Sequence, residues 1–162
     1  QRNDSDLNFP ITVGELVLAG RRRFHSWWRR PTQHDRAAAH EALNKVFLQG
    51  TEARALTELS GGQLQRAYLA RALAQQASVV LLDESLSGID EPTTAELFEV
   101  FATLASEGTA LLVATHDLAL ARRRFARLLA VNGTLRGDGA PDHVLSPEIL
   151  DSTFGSLRAL PH

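Results

Sequence analysis

The sequence predicts an α/β fold in which an all-helical lobe precedes a lobe of alternating strands and helices. Apolar residues recur at helical spacing through residues 33–48 and again after Ser60. Val79-Val80-Leu81-Leu82 and Leu111–Thr115 then break that period as short continuous apolar runs, the pattern of parallel strands buried on both faces. One helical segment separates these runs. It completes a strand–helix–strand crossover of ordinary length, which forces the two strands parallel.

Each element has a local cause. After the polar residues 1–10 and Pro10, Thr12, Gly14 and Glu15 mix with Val13, Leu16, Val17 and Leu18 in a short helix that closes at Gly20. The basic and aromatic run from Arg21 to Pro31 has no period and reads as a surface connection. Thr32 followed by Asp35 is a capping-box pattern, and Ala39, Leu43, Val46 and Phe47 form the inward stripe of a helix over 33–48. Ser60-Gly61-Gly62 opens the next helix, whose apolar positions run through Leu64, Ala67, Ala72 and Leu73.

Within the second lobe, Asp90 caps a helix with Pro92 in its first turn, Leu97, Phe101 and Leu104 on one face, and Gly108 as its stop. A helix follows from Leu118 to about Phe125. Asn132-Gly133 between Leu128–Val131 and Thr134–Arg136 signals a hairpin, and Ser146-Pro147-Glu148 opens a last short helix. The expected division is therefore a helical part over 11–76 and an α/β part over 77–162.

Composition excludes several function classes. With 17 Lys and Arg against 19 Asp and Glu, the formal charge of −2 supplies no whole-chain attraction to nucleic acid or anionic lipid. The interleaved Arg and aromatic residues of 21–30 could stack on bases, but no basic stripe elsewhere extends them, so no nucleic-acid partner is expected. The absence of cysteine removes disulfides, thiolate metal sites and cysteine nucleophiles. No pair among His25, His34, His40 and His143 has convincing metal-ligand spacing. The apolar runs are far shorter than the roughly 20 residues of a membrane-spanning helix. Gln1 to Asp6 carries neither an initiator methionine nor a secretory signal and reads as a cut end.

Three constellations carry chemistry. Asp83 and Glu84 end a buried strand, and ligands of open α/β sheets gather beyond the carboxyl ends of strands. There Asp83 would hold Mg²⁺ and Glu84 would polarise an attacking water; the plainer reading is a solvated acidic pair. His116 follows the second strand and leaves the same edge of the sheet as Glu84, although lone histidines are more often structural. In Leu59-Ser60-Gly61-Gly62-Gln63-Leu64-Gln65-Arg66, two glycines let backbone approach a ligand at a helix N-terminus, where free amides attract phosphate oxygens. A serine cap with a glycine turn explains Ser60 and Gly61 but not the whole octet.

Together, Leu59-Ser60-Gly61-Gly62-Gln63, Leu82-Asp83-Glu84, Asp90 and Thr115-His116-Asp117 resemble the signature, Walker B, D-loop and H-loop of the ATP-binding-cassette (ABC) ATPases, in that family's order and spacing. Gln1 matches the Q-loop glutamine, and Phe9-Pro10-Ile11-Thr12-Val13 the start of the helical subdomain. The resemblance implies a P-loop NTPase fold, divided as Q-loop 1–10, helical subdomain 11–76 and a partial RecA-like core 77–162. It implies ATP and Mg²⁺ as cofactors and a head-to-tail dimer of two ATP-binding subunits. Ser60, Gly61, Gly62 and Gln63 would lie against the γ-phosphate held by the partner. Glu84 would be the catalytic base, His116 the switch contact to that phosphate, Asp83 and Gln1 ligands of the Mg²⁺, and Asp90 a contact across the dimer.

Two departures stand out. Ser85 replaces the usual proline after the acidic pair, and no G-x-x-x-x-G-K-[ST] phosphate loop occurs in the chain. The expectation is that this chain alone does not turn over ATP, exposes apolar sheet surface and is poorly soluble.

Gly20-Arg21, Trp27-Trp28-Arg29-Arg30-Pro31 and Leu145-Ser146-Pro147-Glu148 further resemble the ATPases of zinc and manganese importers. That resemblance implies membrane permease partners, with Trp27 or Trp28 as a contact. It also implies an external metal-binding protein acting indirectly, and a cytoplasmic location on the inner face of the plasma membrane through the permease. The rival expectations are a soluble ABC ATPase outside transport and a catalytically inactive interaction fragment.

Overall fold

The computed structural model describes residues 11–21, 30–83, 86 and 89–155. The chain divides into two compact units between Ala114 and Thr115.

The first unit opens with α1 (Val13–Ala19) and α2 (Gln33–Lys45), each started by a threonine that closes a capping box with an acid three residues on, Glu15 or Asp35. A 3₁₀ turn at Leu56–Glu58 leads to α3 (Gly61–Leu73), then β1 (Val79–Asp83), α4 (Glu91–Ser106) and β2 (Ala110–Ala114). The strands β1 and β2 are parallel, in register from Val79 opposite Ala110 to Asp83 opposite Ala114. One core runs from the helices to the sheet: Val13, Val17, Leu43, Leu69 and Leu97 are buried in it with Val80 and Leu82.

The sheet is covered on one face only among the described residues. Val80 and Leu82 are buried, whereas Val79 is 54% and Leu81 69% exposed, and across the ladder Leu112 is 51% exposed. This corrects the expectation of strands buried on both faces and agrees with the expectation of exposed apolar sheet surface. Helices α3 and α4 pack against these strands, and the pleat sends alternate side chains to opposite sides, so half of the apolar run stays bare. A continuous apolar run shows that both faces suit burial, not that both are buried.

Three local expectations also change. Arg21 is not on a surface connection: it is 6% exposed and its Nε donates to Asp35 Oδ1 at 3.1 Å. The second helix stops at Lys45 rather than 48, because Phe47 takes φ 58° in a turn where the Phe47 amide donates to Asn44 and the Leu48 amide to Leu43. That pair of bonds is a left-handed helix stop, and it turns Phe47 outward, 40% exposed, instead of into the stripe. Trp27 and Trp28 lie outside the described residues.

The second unit holds α5 (Leu118–Arg124), an antiparallel hairpin of β3 (Leu128–Asn132) and β4 (Thr134–Gly139), then α6 (Pro141–Val144) and α7 (Pro147–Phe154). The hairpin is tighter than Asn132-Gly133 suggested: Asn132 pairs with Thr134, Gly133 alone makes the bend at φ 64°, and the register shifts between Ala130 and Val131. Helix α6, not anticipated from sequence, begins with Pro141 at its first turn.

Candidate functional site

Ser60 ends an extended segment (φ −64°, ψ 161°) and caps α3. Its Oγ accepts the Gln63 amide at 3.2 Å, and Gln63 Oε1 accepts the Ser60 amide at 3.1 Å. This capping box fixes the turn, so the serine-cap reading holds at the level of local structure. Ser60 and Gly61 are nevertheless exposed, and a β-carbon at Gly61 would meet nothing within 4 Å. The hydroxyl proton can still donate, and the Gly61 and Gly62 amides belong to the first turn, whose donors no intrahelical carbonyl can reach. No acidic residue occupies that first turn. The arrangement suits an anion arriving from outside.

Asp83 closes β1 opposite Ala114, exposed at the carboxyl end of the parallel pair. In the sequence Glu84 follows Asp83 directly, and Thr115 and His116 follow Ala114. Glu84 and Gln1 lie outside the described residues. In the second unit His116 is exposed, one residue before the cap of α5: Thr115 Oγ1 accepts the Asp117 amide at 3.1 Å, and Asp117 Oδ1 accepts the Leu120 amide at 2.8 Å.

Asp90, also exposed, caps α4 by accepting the Thr93 amide at 3.0 Å. Its carboxyl is held below the usual range, first by the hydrogen bonds from Thr93 and, least, by the positive charge of Arg66. Arg66 is a residue whose role sequence reasoning missed. From within α3 its Nη1 donates to the Val46 carbonyl at 3.2 Å and the Phe47 carbonyl at 3.4 Å, while its buried Nε meets no acceptor among the described residues. No sequence signal marks it, because its acceptors are backbone carbonyls.

Among the described residues no group of three His, Asp or Glu could hold a metal ion by itself. One carboxylate at a strand end is compatible with Mg²⁺, which binds through one or two carboxylates plus substrate phosphates rather than in an all-protein cage. A cavity of about 420 Å³ opens at the other rim of the sheet, beside Ser78, Val80 and Thr109, and none of Ser60, Gly61, Gly62, Gln63, Arg66, Asp83, Asp90 and His116 lines it.

These elements stand in the order of a known family, whose profile, that of the ABC transporters, matches residues 3–87, just over half the chain. The chain belongs to the ABC transporter family. The manganese transport system ATP-binding protein MntA of Synechocystis sp. is 37% identical over 99% of this chain and 62% of its own length. The zinc transport system ATP-binding protein TroB of Treponema pallidum is 36% identical over 96% of this chain and 58% of its own. A solved metal-chelate type ABC transporter in an inward-facing conformation superposes with a TM-score of 0.79 at 28% identity, over 91% of this chain and 59% of that one. This ABC chain thus spans about three fifths of the length of these relatives. Its fold is that of a partial P-loop NTPase domain, mixed helix and sheet with a small parallel sheet. Among the described residues no helix is long and apolar enough to cross a membrane.

Proposed function

We propose that this chain is the signature-bearing part of an ATP-binding, ATP-hydrolysing subunit that energises import of a divalent metal ion, zinc or manganese. The observation that carries the reading is the exposed, glycine-opened start of α3 at Ser60, in a chain that also ends a parallel strand on Asp83. The names of the manganese and zinc relatives support the transported class.

In this reading residues 1–10 form the Q-loop, 11–76 the helical subdomain and 77–162 part of the RecA-like core. Ser60, Gly61, Gly62 and Gln63 offer a hydroxyl and backbone amides to the γ-phosphate of ATP held by a second subunit, where developing negative charge is stabilised without rearrangement. Asp83, with Gln1, would hold the Mg²⁺ that travels with ATP and screens its phosphates. Glu84 accepts a proton from the attacking water, His116 contacts the γ-phosphate, and Asp90 meets the partner subunit. The loop that cradles the β and γ phosphates is absent from these residues, so turnover requires that it be supplied from outside them. Closure of the ATP-bound pair and its reopening would move permease subunits, which receive metal from an external binding protein. The chain then works on the cytoplasmic face of the membrane, held there by the permease.

The test is Glu84→Gln in the complete subunit. Binding of ATP should persist and the dimer should stay closed, with turnover reduced by about a hundredfold or more, the scale of a lost general base. Turnover equal to that of the parent would remove Glu84 from this role.

A further inference from the structure

We propose that Arg66 is a positioning residue that fixes the Ser60–Gln63 helix start against the end of α2, so that this start meets the partner subunit in one orientation. The inference deepens the nucleotide-binding reading above and rests on it. Arg66 sits within α3 and its Nη1 reaches back to the carbonyls of Val46 and Phe47 at the end of α2. Carbonyls past a helix C-terminus are where a cation is favoured. The turn it holds is itself constrained, because Phe47 adopts φ 58°. One side chain therefore ties the end of α2 to the helix that presents Ser60.

Stability alone does not account for this residue. Its Nε is buried without an acceptor among the described residues, and an unpaired buried donor costs free energy. A methionine could bury a similar stem with no such cost. What a methionine cannot do is hold a direction: the guanidinium is a rigid fork, and two acceptors on one turn fix how α3 sits against α2.

The experiment uses the complete subunit in the Glu84→Gln background and reads three quantities: ATP affinity of the isolated subunit, the ATP concentration for half-maximal dimerisation, and the thermal midpoint. For Arg66→Met, half-maximal dimerisation should need about tenfold more ATP, as when the dimer-competent orientation of the helix start falls to about a tenth of the population. The subunit's own ATP affinity and its thermal midpoint should stay at the parent values. Arg66→Lys keeps the charge but not the fork and should recover only part of the loss. Dimerisation of Arg66→Met at the parent's ATP concentration would overturn the proposal. So would full recovery by lysine, or a loss of dimerisation that follows a fall in the thermal midpoint. Should Arg66→Met not fold, Arg66→Lys decides alone, by whether it dimerises like the parent. A parent that fails to dimerise with ATP defeats the nucleotide reading first, and this inference with it.

Discussion

Arg21 and Asp35 form an ion pair at 3.1 Å whose side chains are 7% and 1% exposed. The same guanidinium donates through Nη1 to the Ala74 carbonyl and to Gln76 Oε1, each at 2.9 Å, so the end of α1, the start of α2 and the end of α3 share one buried charge. Removing one partner of such a pair strands the other. Arg21→Met is expected to lower the unfolding free energy by about 3 kcal/mol or more, and Arg21→Met with Asp35→Leu to recover part of it. Recovery stays partial because Asp35 also accepts the Thr32 amide and hydroxyl. Urea unfolding of the three proteins checks both statements.

Helix α2 ends on a left-handed residue that carries a β-carbon. Phe47→Gly should raise stability by about 0.5 to 1 kcal/mol, the balance between relief of a left-handed side chain and the entropy of glycine. Phe47→Val, branched at that carbon, should lower it by about 1 kcal/mol. The order Gly, Phe, Val in denaturation midpoint is the checkable outcome.

Close approach of backbone rather than of side chains governs Gly20. A β-carbon there would lie 2.3 Å from the Arg71 carbonyl oxygen. Gly20→Ala must separate α1 from α3 and should cost about 1 to 3 kcal/mol. At Gly137 the nearest atom is Cγ2 of the Ile149 side chain, 2.9 Å away, so a side chain rather than backbone has to shift. Gly137→Ala should therefore cost less, as paired thermal or urea melts would reveal.

The cap of α4 predicts a pH dependence. The Asp90 carboxyl is held low by the hydrogen bonds from Thr93, so its ionised form favours the folded state. That contribution is full above the ordinary carboxylate value, about 4, and disappears as pH falls through the lower folded value. Asn also caps a helix but does not titrate. Any stability advantage of the parent over Asp90→Asn should therefore stay constant above about pH 5 and shrink as pH falls below about 4. A difference independent of pH would contradict the assignment.

Much of the fold was legible because local chemistry and tertiary packing agree. The caps Thr32, Ser60 and Asp90 announced their helices, and the length of chain between Val80 and Leu111 required parallel strands. What escaped depended on partners distant in sequence. Nothing near Arg21 reveals that Asp35 and the Ala74 carbonyl will bury it, and Phe47 fits a helical period until the left-handed turn removes it. Of the candidate site, Ser60, Asp83 and Asp90 were legible from caps and strand ends. Arg66 was not, since its acceptors are carbonyls, which no residue type encodes.

The pairing of Val79 with Ala110 joins strands separated by the whole of α4. Such a rung cannot zip up from a local turn, because the intervening chain must first surrender its freedom. Once α4 has coiled and laid Leu97, Phe101 and Leu104 down, the second strand arrives almost in place. Substitutions that weaken that coil should therefore act chiefly by slowing the refolding limb, whereas changes in the hairpin of the other unit should leave that limb untouched.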